Sequence, residues 1–108
     1  TGFVERKSRL DMPTLAIMEQ LHLDLSITGK VQGVWYRKSA VAKAIELGLK
    51  GYAQNLPDGS VRIEAEGSQE DLDDFIAWCR TGPPLARVEK VTSALGKWEG
   101  YPAFQCKL

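Results

Sequence analysis

The chain has 108 residues, 44% of them hydrophobic and 26% charged, which places it among single globular domains and excludes collagenous, disordered and disulfide-dense classes. Its 14 basic side chains are balanced by 14 acidic ones, so the net charge is zero and the overall basic bias of most nucleic-acid binders is missing. Two cysteines, Cys79 and Cys106, lack CxxC spacing, which excludes a disulfide framework and predicts reduced thiols in a cytoplasmic protein.

Residues 1–21 have no clean hydrophobic period. Charges at Glu5, Arg6, Lys7, Arg9 and Asp11 leave no apolar run long enough for a signal sequence or a membrane span. They are read as an N-terminal extension, with Thr1 to Asp11 a candidate leader or cloning remnant ahead of Met12. Pro13 and Thr14 could open a short helical turn through Leu15, Ile17, Met18 and Leu21, marginal on its own. The domain proper is assigned to 22–108. His22, the single histidine, precedes the first clear element and is read as an incidental surface group.

Leu23, Leu25 and Ile27 alternate with Asp24, Ser26 and Thr28, the period of a half-buried strand that runs into Gly29. A helix is expected over about Val34 to Leu47, with Val41, Ala44 and Ile45 on its apolar face and Gly48 at the left-handed cap. A second strand fits Leu49 to Asn55. Leu56-Pro57-Asp58-Gly59 then supplies a turn, and Ser60 to Glu66 returns with Val61, Ile63 and Ala65 inward and Arg62, Glu64 and Glu66 outward.

Ser68 and Asp71 resemble a capping box, and Leu72, Phe75, Ile76 and Cys79 hold helical spacing until Gly82-Pro83-Pro84. Glu70, Asp71, Asp73 and Asp74 sit where a helix dipole favours negative charge, so they read as a solvated face rather than a metal site. Strands around Arg87 to Thr92 and through Phe104, Cys106 and Leu108 follow, separated by the Gly96 to Gly100 loop. The order β-α-β-β-α-β predicts an α+β, ferredoxin-like split β-α-β sandwich: an antiparallel sheet with two helices on one face.

The chemistry concentrates at Gly29 to Arg37, GKVQGVWYR. Lys30, Arg37, Lys38 and Lys43 lie between Leu25 and Ile45 with no acidic residue among them. A strand-to-helix junction exposes unpaired N–H groups and a partial positive charge, which attract anions. Gly29 and Gly33 permit close backbone approach, and Arg37 could fold its guanidinium onto the same anion. A glycine turn before a helix is common, so the loop alone identifies an anion site of unspecified purpose. Asn55, at the end of the second strand, reads on its own as a turn cap, but in a split βαβ sheet the ends of the first two strands can come close, so it could face that loop.

Gly29-Lys-Val-Gln-Gly-Val-Trp-Tyr-Arg37, Gly48-Leu-Lys-Gly-Tyr-Ala-Gln-Asn55, Asp58-Gly59-Ser-Val61 and Glu66-Gly67 resemble the acylphosphatase family in order and spacing, across roughly Leu23 to Leu108. The resemblance implies a ferredoxin-like fold and hydrolysis of acyl phosphates to a carboxylate and inorganic phosphate, with no metal or other cofactor. It implies that Arg37 and the backbone of Gln32, Gly33, Val34, Trp35 and Tyr36 bind the phosphoryl group while Asn55 orients water. A small-molecule acyl phosphate is the expected partner, with no nucleic acid or membrane and a monomeric chain. Trp35, Tyr36 and Ala53 depart from the family's common glycine, phenylalanine and valine. Trp35 is expected to narrow the mouth of the site, and the Tyr36 hydroxyl to need a partner in the core. Two other functions are weighed against this one. A non-catalytic anion-binding module, like the acylphosphatase-like domain of hydrogenase-maturation carbamoyltransferases, would keep the fold. An RNA binder would use the open sheet face, which Glu64 and Glu66 make unfavourable.

Overall fold

A computed structural model describes residues 20–108. The expected turn after Pro13 and the assignment of residues 1–11 therefore lie outside the described residues, except that Leu21 belongs to a strand. The elements are β1 (Gln20–Lys30), α1 (Tyr36–Glu46), β2 (Lys50–Asn55), β3 (Val61–Ser68), α2 (Gln69–Thr81), β4 (Arg87–Leu95) and β5 (Phe104–Lys107). They form one five-stranded sheet of order β4-β1-β3-β2-β5, as expected for the ferredoxin-like α+β class.

The sheet is mixed rather than antiparallel throughout. β1 pairs antiparallel with β3 and β4, and β3 with β2, whereas β5 runs parallel to β2. The cause is where the chain crosses. β4 finishes with Leu95 opposite Leu23, at the end of the sheet where β2 begins. After crossing that end, β5 can only run in the direction of β2, and Gly51 N–H donates to Ala103 O at 2.9 Å as it enters.

Alternation along β1 and β3 turns Leu25, Ile27, Val61, Ile63 and Ala65 into the core. α2 buries Leu72, Phe75 and Cys79 against them, starting at Ser68, whose hydroxyl accepts from Asp71 N–H at 3.2 Å, and ending at Gly82 with φ 69. Phe75 is fully buried and meets Phe104 edge-on, which ties α2 to the last strand. Truncating it to alanine would cost about 3–5 kcal/mol.

α1 starts two residues later than its apolar spacing predicts. Trp35 has φ 65 and ψ 15, a left-handed conformation that a helix interior cannot contain, so Val34 and Trp35 belong to the loop. The inward face is made by Tyr36, Ala40 and Ala44, while Ile45 is exposed. Small residues here let α1 approach the sheet closely. Gly48, with φ 75, closes the helix as expected.

The face of the sheet away from the helices differs most from the sequence reading. His22, Glu64 and Glu66 are buried rather than outward, because residues 96–101 pass over them. Register puts His22 opposite Glu66 and Asp24 opposite Glu64. Glu66 accepts from the N–H groups of Glu99 (2.6 Å), Gly100 (2.9 Å) and Tyr101 (3.1 Å), and His22 Nδ1 lies 2.6 Å from it. Glu64 accepts from the Tyr52 and Tyr101 hydroxyls, each at 2.6 Å, and from Arg62 at 2.8 Å. Two carboxylates opposite each other would repel across a strand pair, and His22 and Arg62 supply the balancing positive charge.

Candidate active site

β1 ends in a bulge between Thr28 and Gly29, and the chain leaves the sheet through 31–35 before α1 begins. In this loop Gly33 (φ 74) and Trp35 (φ 65) adopt left-handed backbone conformations. Left- and right-handed residues in succession turn their N–H groups toward one side and form an anion-binding concavity. The N–H groups of Gln32, Gly33, Val34, Trp35 and Tyr36 have no acceptor among the described residues. They are oriented by the fold and left unpaired. A left-handed tryptophan costs on the order of 1–2 kcal/mol, so the packing around it must hold the loop in this shape.

Part of that holding comes from Gln32. Its Nε2 donates to Leu56 O and to Ser60 O, both at 2.8 Å. The side chain thus ties the loop to the turn that joins β2 and β3, next to Asn55. The sequence reading assigns Gln32 mainly its backbone N–H, and a lone glutamine in a loop carries no local signal of a contact 24 residues away. On the other side of the loop, the Tyr36 hydroxyl finds its expected partner, donating to Cys79 O at 2.7 Å. Burial drives the phenol pKa up, and pushes the Cys79 thiol up to about 12. Cys79 is therefore an inert core group, and both cysteines are free thiols.

A cavity of about 320 Å³ opens beside the loop, lined by Gly33, Trp35, Arg37, Lys38 and Asn55 among others. Arg37 stands in the first turn of α1 and donates to Lys107 O on β5 at 2.8 Å, which fixes the guanidinium while leaving most of its donors for a ligand. Asn55 ends β2. Its Oδ1 is the one buried side-chain oxygen or nitrogen among the described residues without a hydrogen-bond partner. An orphaned buried oxygen costs about 1–3 kcal/mol and calls for a donor from outside the protein. The fold thus brings Arg37 and Asn55 together with Gly33, Trp35 and Tyr36 of the loop, whereas Gln32 and Val34 line a neighbouring depression. Lys30 lies apart, lining with Arg87 that same depression, which shares Gly33.

Metal-type ligands are found elsewhere. Nitrogen and oxygen atoms of His22, Asp24 and Glu64 lie within 4.8 Å of one another at the far end of β1 from the loop, engaged with one another and with Glu66 and Arg62. The loop cavity instead offers amide hydrogens, a guanidinium and one amide oxygen. Together with the sheet order they define a ferredoxin-like α+β protein with a polar cavity at its first strand–helix junction.

The acylphosphatase family model matches residues 23–104. An acylphosphatase of Methylococcus capsulatus is 58% identical over 71 residues, which cover 66% of this chain and 75% of that protein. The structure of an acylphosphatase from Coxiella burnetii superposes with a TM-score of 0.79 at 34% identity, covering 82% of this chain and 93% of that one. A structure of full-length HypF in a phosphate- and nucleotide-bound form gives the same TM-score at 26% identity, over 84% of this chain but 12% of the HypF chain. This chain belongs to the acylphosphatase family, hydrolases that act on acyl phosphates.

Proposed function

We propose that the cavity beside Gly33 is the hydrolytic centre, with the N–H groups of Gln32, Gly33, Val34, Trp35 and Tyr36 and the Arg37 guanidinium holding the phosphoryl group, and Asn55 positioning water. The observation that carries this reading is the unpartnered Oδ1 of Asn55 beside a cavity bordered by unpaired amides and an arginine. A water donating one hydrogen to Oδ1 keeps a lone pair free for phosphorus. Its oxygen bonds to phosphorus, the bond from phosphorus to the acyl oxygen breaks, and that electron pair leaves with the carboxylate. The water's protons pass to the phosphate product and to solvent. A carboxylate is a weak base, so its departure needs little general-acid help, and fixed N–H dipoles and Arg37 can stabilise the charge that gathers on the phosphoryl oxygens. Positioning and preorganised charge carry the reaction.

The substrate is a small-molecule acyl phosphate and the products are a carboxylate and inorganic phosphate. Free thiols at Cys79 and Cys106 support a cytoplasmic setting, and we read the working unit as a monomer. No helix among the described residues is long and apolar enough to cross a membrane. Hydrolysis of benzoyl phosphate in the presence of chelator tests the assignment. Arg37→Ala and Asn55→Ala should each lower kcat/KM by roughly a hundredfold or more, the consequence of losing about 2–4 kcal/mol of transition-state stabilisation. Equal rates for wild type and both variants would refute it. Phosphate that stabilises the fold without turnover would instead assign a non-catalytic anion-binding module.

A further inference from the structure

Trp35 is the one non-glycine residue among the described residues with a positive φ. It is also 65% exposed, so its indole is not held there by burial in the core. A large aromatic side chain placed in a left-handed conformation and turned mostly to solvent gains little for the fold. Backbone outliers of this kind persist where a ligand uses them. The indole lines the same cavity as Arg37 and Asn55, and Lys38 Nζ lies 5.0 Å from the ring centroid, which engages one face and steadies the ring.

We propose that Trp35 is the specificity wall for the acyl half of the substrate, stacking on a planar, unsaturated acyl group such as an aroyl group. The inference rests on the phosphoryl seat described above. The Trp35 N–H belongs to that seat, so its side chain rises directly beside the place where phosphorus is held. In an acyl phosphate the carbonyl carbon is two bonds from phosphorus, so the group it carries shares the cavity whose wall includes Trp35. An aromatic ring there meets a flat apolar surface in an offset or edge-on geometry. A methyl group presents no plane to stack and covers little of the indole. The cavity, about 320 Å³, is at the small end of ligand sites and suits a phosphoryl group with one ring attached.

The test compares benzoyl phosphate with acetyl phosphate for wild type, Trp35→Gly, Trp35→Ala and Trp35→Phe, each with its Tm. Any distortion of the phosphate loop affects both substrates and cancels in the ratio of their kcat/KM values. We expect the benzoyl-to-acetyl ratio to fall roughly two- to tenfold in the glycine and alanine variants, through KM for benzoyl phosphate, and to be largely restored by phenylalanine. Glycine relieves the positive φ, so Trp35→Gly should fold with a Tm close to wild type and still show the lost ratio. An unchanged ratio, or a ratio that falls with phenylalanine as far as with glycine, overturns the proposal. Wild type that hydrolyses neither substrate would overturn the catalytic reading itself, which separates the two failures.

Discussion

Replacing Glu66 by glutamine keeps the volume of a fully buried side chain and changes one oxygen into an amide NH₂. Oε1 accepts from Gly100 and Tyr101, and Oε2 accepts from Glu99 and contacts His22 Nδ1. If the glutamine oxygen takes the Oε1 place, the NH₂ faces the Glu99 N–H, and at least one buried donor is orphaned; the opposite orientation orphans two. One unsatisfied buried group costs about 1–3 kcal/mol, and the charge-assisted bond to His22 is weakened as well, so Glu66→Gln should destabilise by about 2–4 kcal/mol. Glu66 is buried, so solvent screening does not discount this figure. Urea unfolding should report the loss as a lower midpoint with an unchanged slope, and for a domain of this size Tm should fall on the order of 10 °C or more. The amides of Glu99, Gly100 and Tyr101 should also lose hydrogen-exchange protection ahead of the strands. A change below about 0.5 kcal/mol would mean that residues 96–101 are held by other contacts and that the accounting of donors is wrong.

The same cluster sets the pH dependence of stability. Burial alone would lower the His22 pKa, but its bonds to Glu66 and Asp24 raise it above 6.5, so its contribution is complete below about pH 6.5 and is lost as pH rises through the folded value. Burial alone would raise Glu64 and Glu66; the Tyr101, Tyr52 and Arg62 donors hold Glu64 at about 2, and His22 with the three amides lowers Glu66, so their contribution is complete above about pH 4.5 and is lost on acidification. Tm should therefore peak between about pH 4.5 and 6.5, and His22→Gln should flatten the alkaline limb; a limb of equal steepness in the variant would sink this assignment. Gln32→Ala removes both 2.8 Å bonds between loop and turn, yet Leu56 O still accepts from Gly59 and Ser60 O from Leu56. The expected result is a Tm lower by only a few degrees with kcat/KM down roughly ten- to a hundredfold, because the loop loses its fixed distance to Asn55. Unchanged kinetics would show that the loop holds its shape without Gln32.

What could be read from the sequence was what local pattern encodes. The alternation of Leu23, Leu25 and Ile27, the Ser68 cap and the Leu72–Phe75–Cys79 stripe each depend on neighbours within one or two turns, and each is found where expected. The loop and Asn55 could be singled out by the order and spacing of their motifs and not by residue type, since a glycine turn before a helix and an asparagine at a turn are each common. The burial of His22, Glu64 and Glu66 is not legible in the sequence, because alternation fixes which side of the sheet a residue takes, not what later covers that side. Their burial depends on backbone donors more than 30 positions downstream. The start of α1 escaped for a different reason: tryptophan is a poor candidate for a left-handed residue, and the tertiary packing of the loop overrides that preference. The parallel pairing of β5 likewise follows from where the chain crosses the sheet, which no strand pattern records.

The strand order has a further consequence for how this chain behaves in a crowded solution. Because β1, β3 and β2 each have neighbours on both sides, β4 and β5 are the strands at the two edges of the sheet among the described residues. β5 spans four residues, too short to template much of an added strand, and β4 carries Arg87, Glu89 and Lys90 exposed along its first half. An approaching strand would have to bring its backbone against alternating charge or find too little length to hold. The apolar β1 and β3 segments, the ones best suited to self-association, are sealed in the middle of the sheet, so edge-to-edge aggregation must first unzip one of its guards.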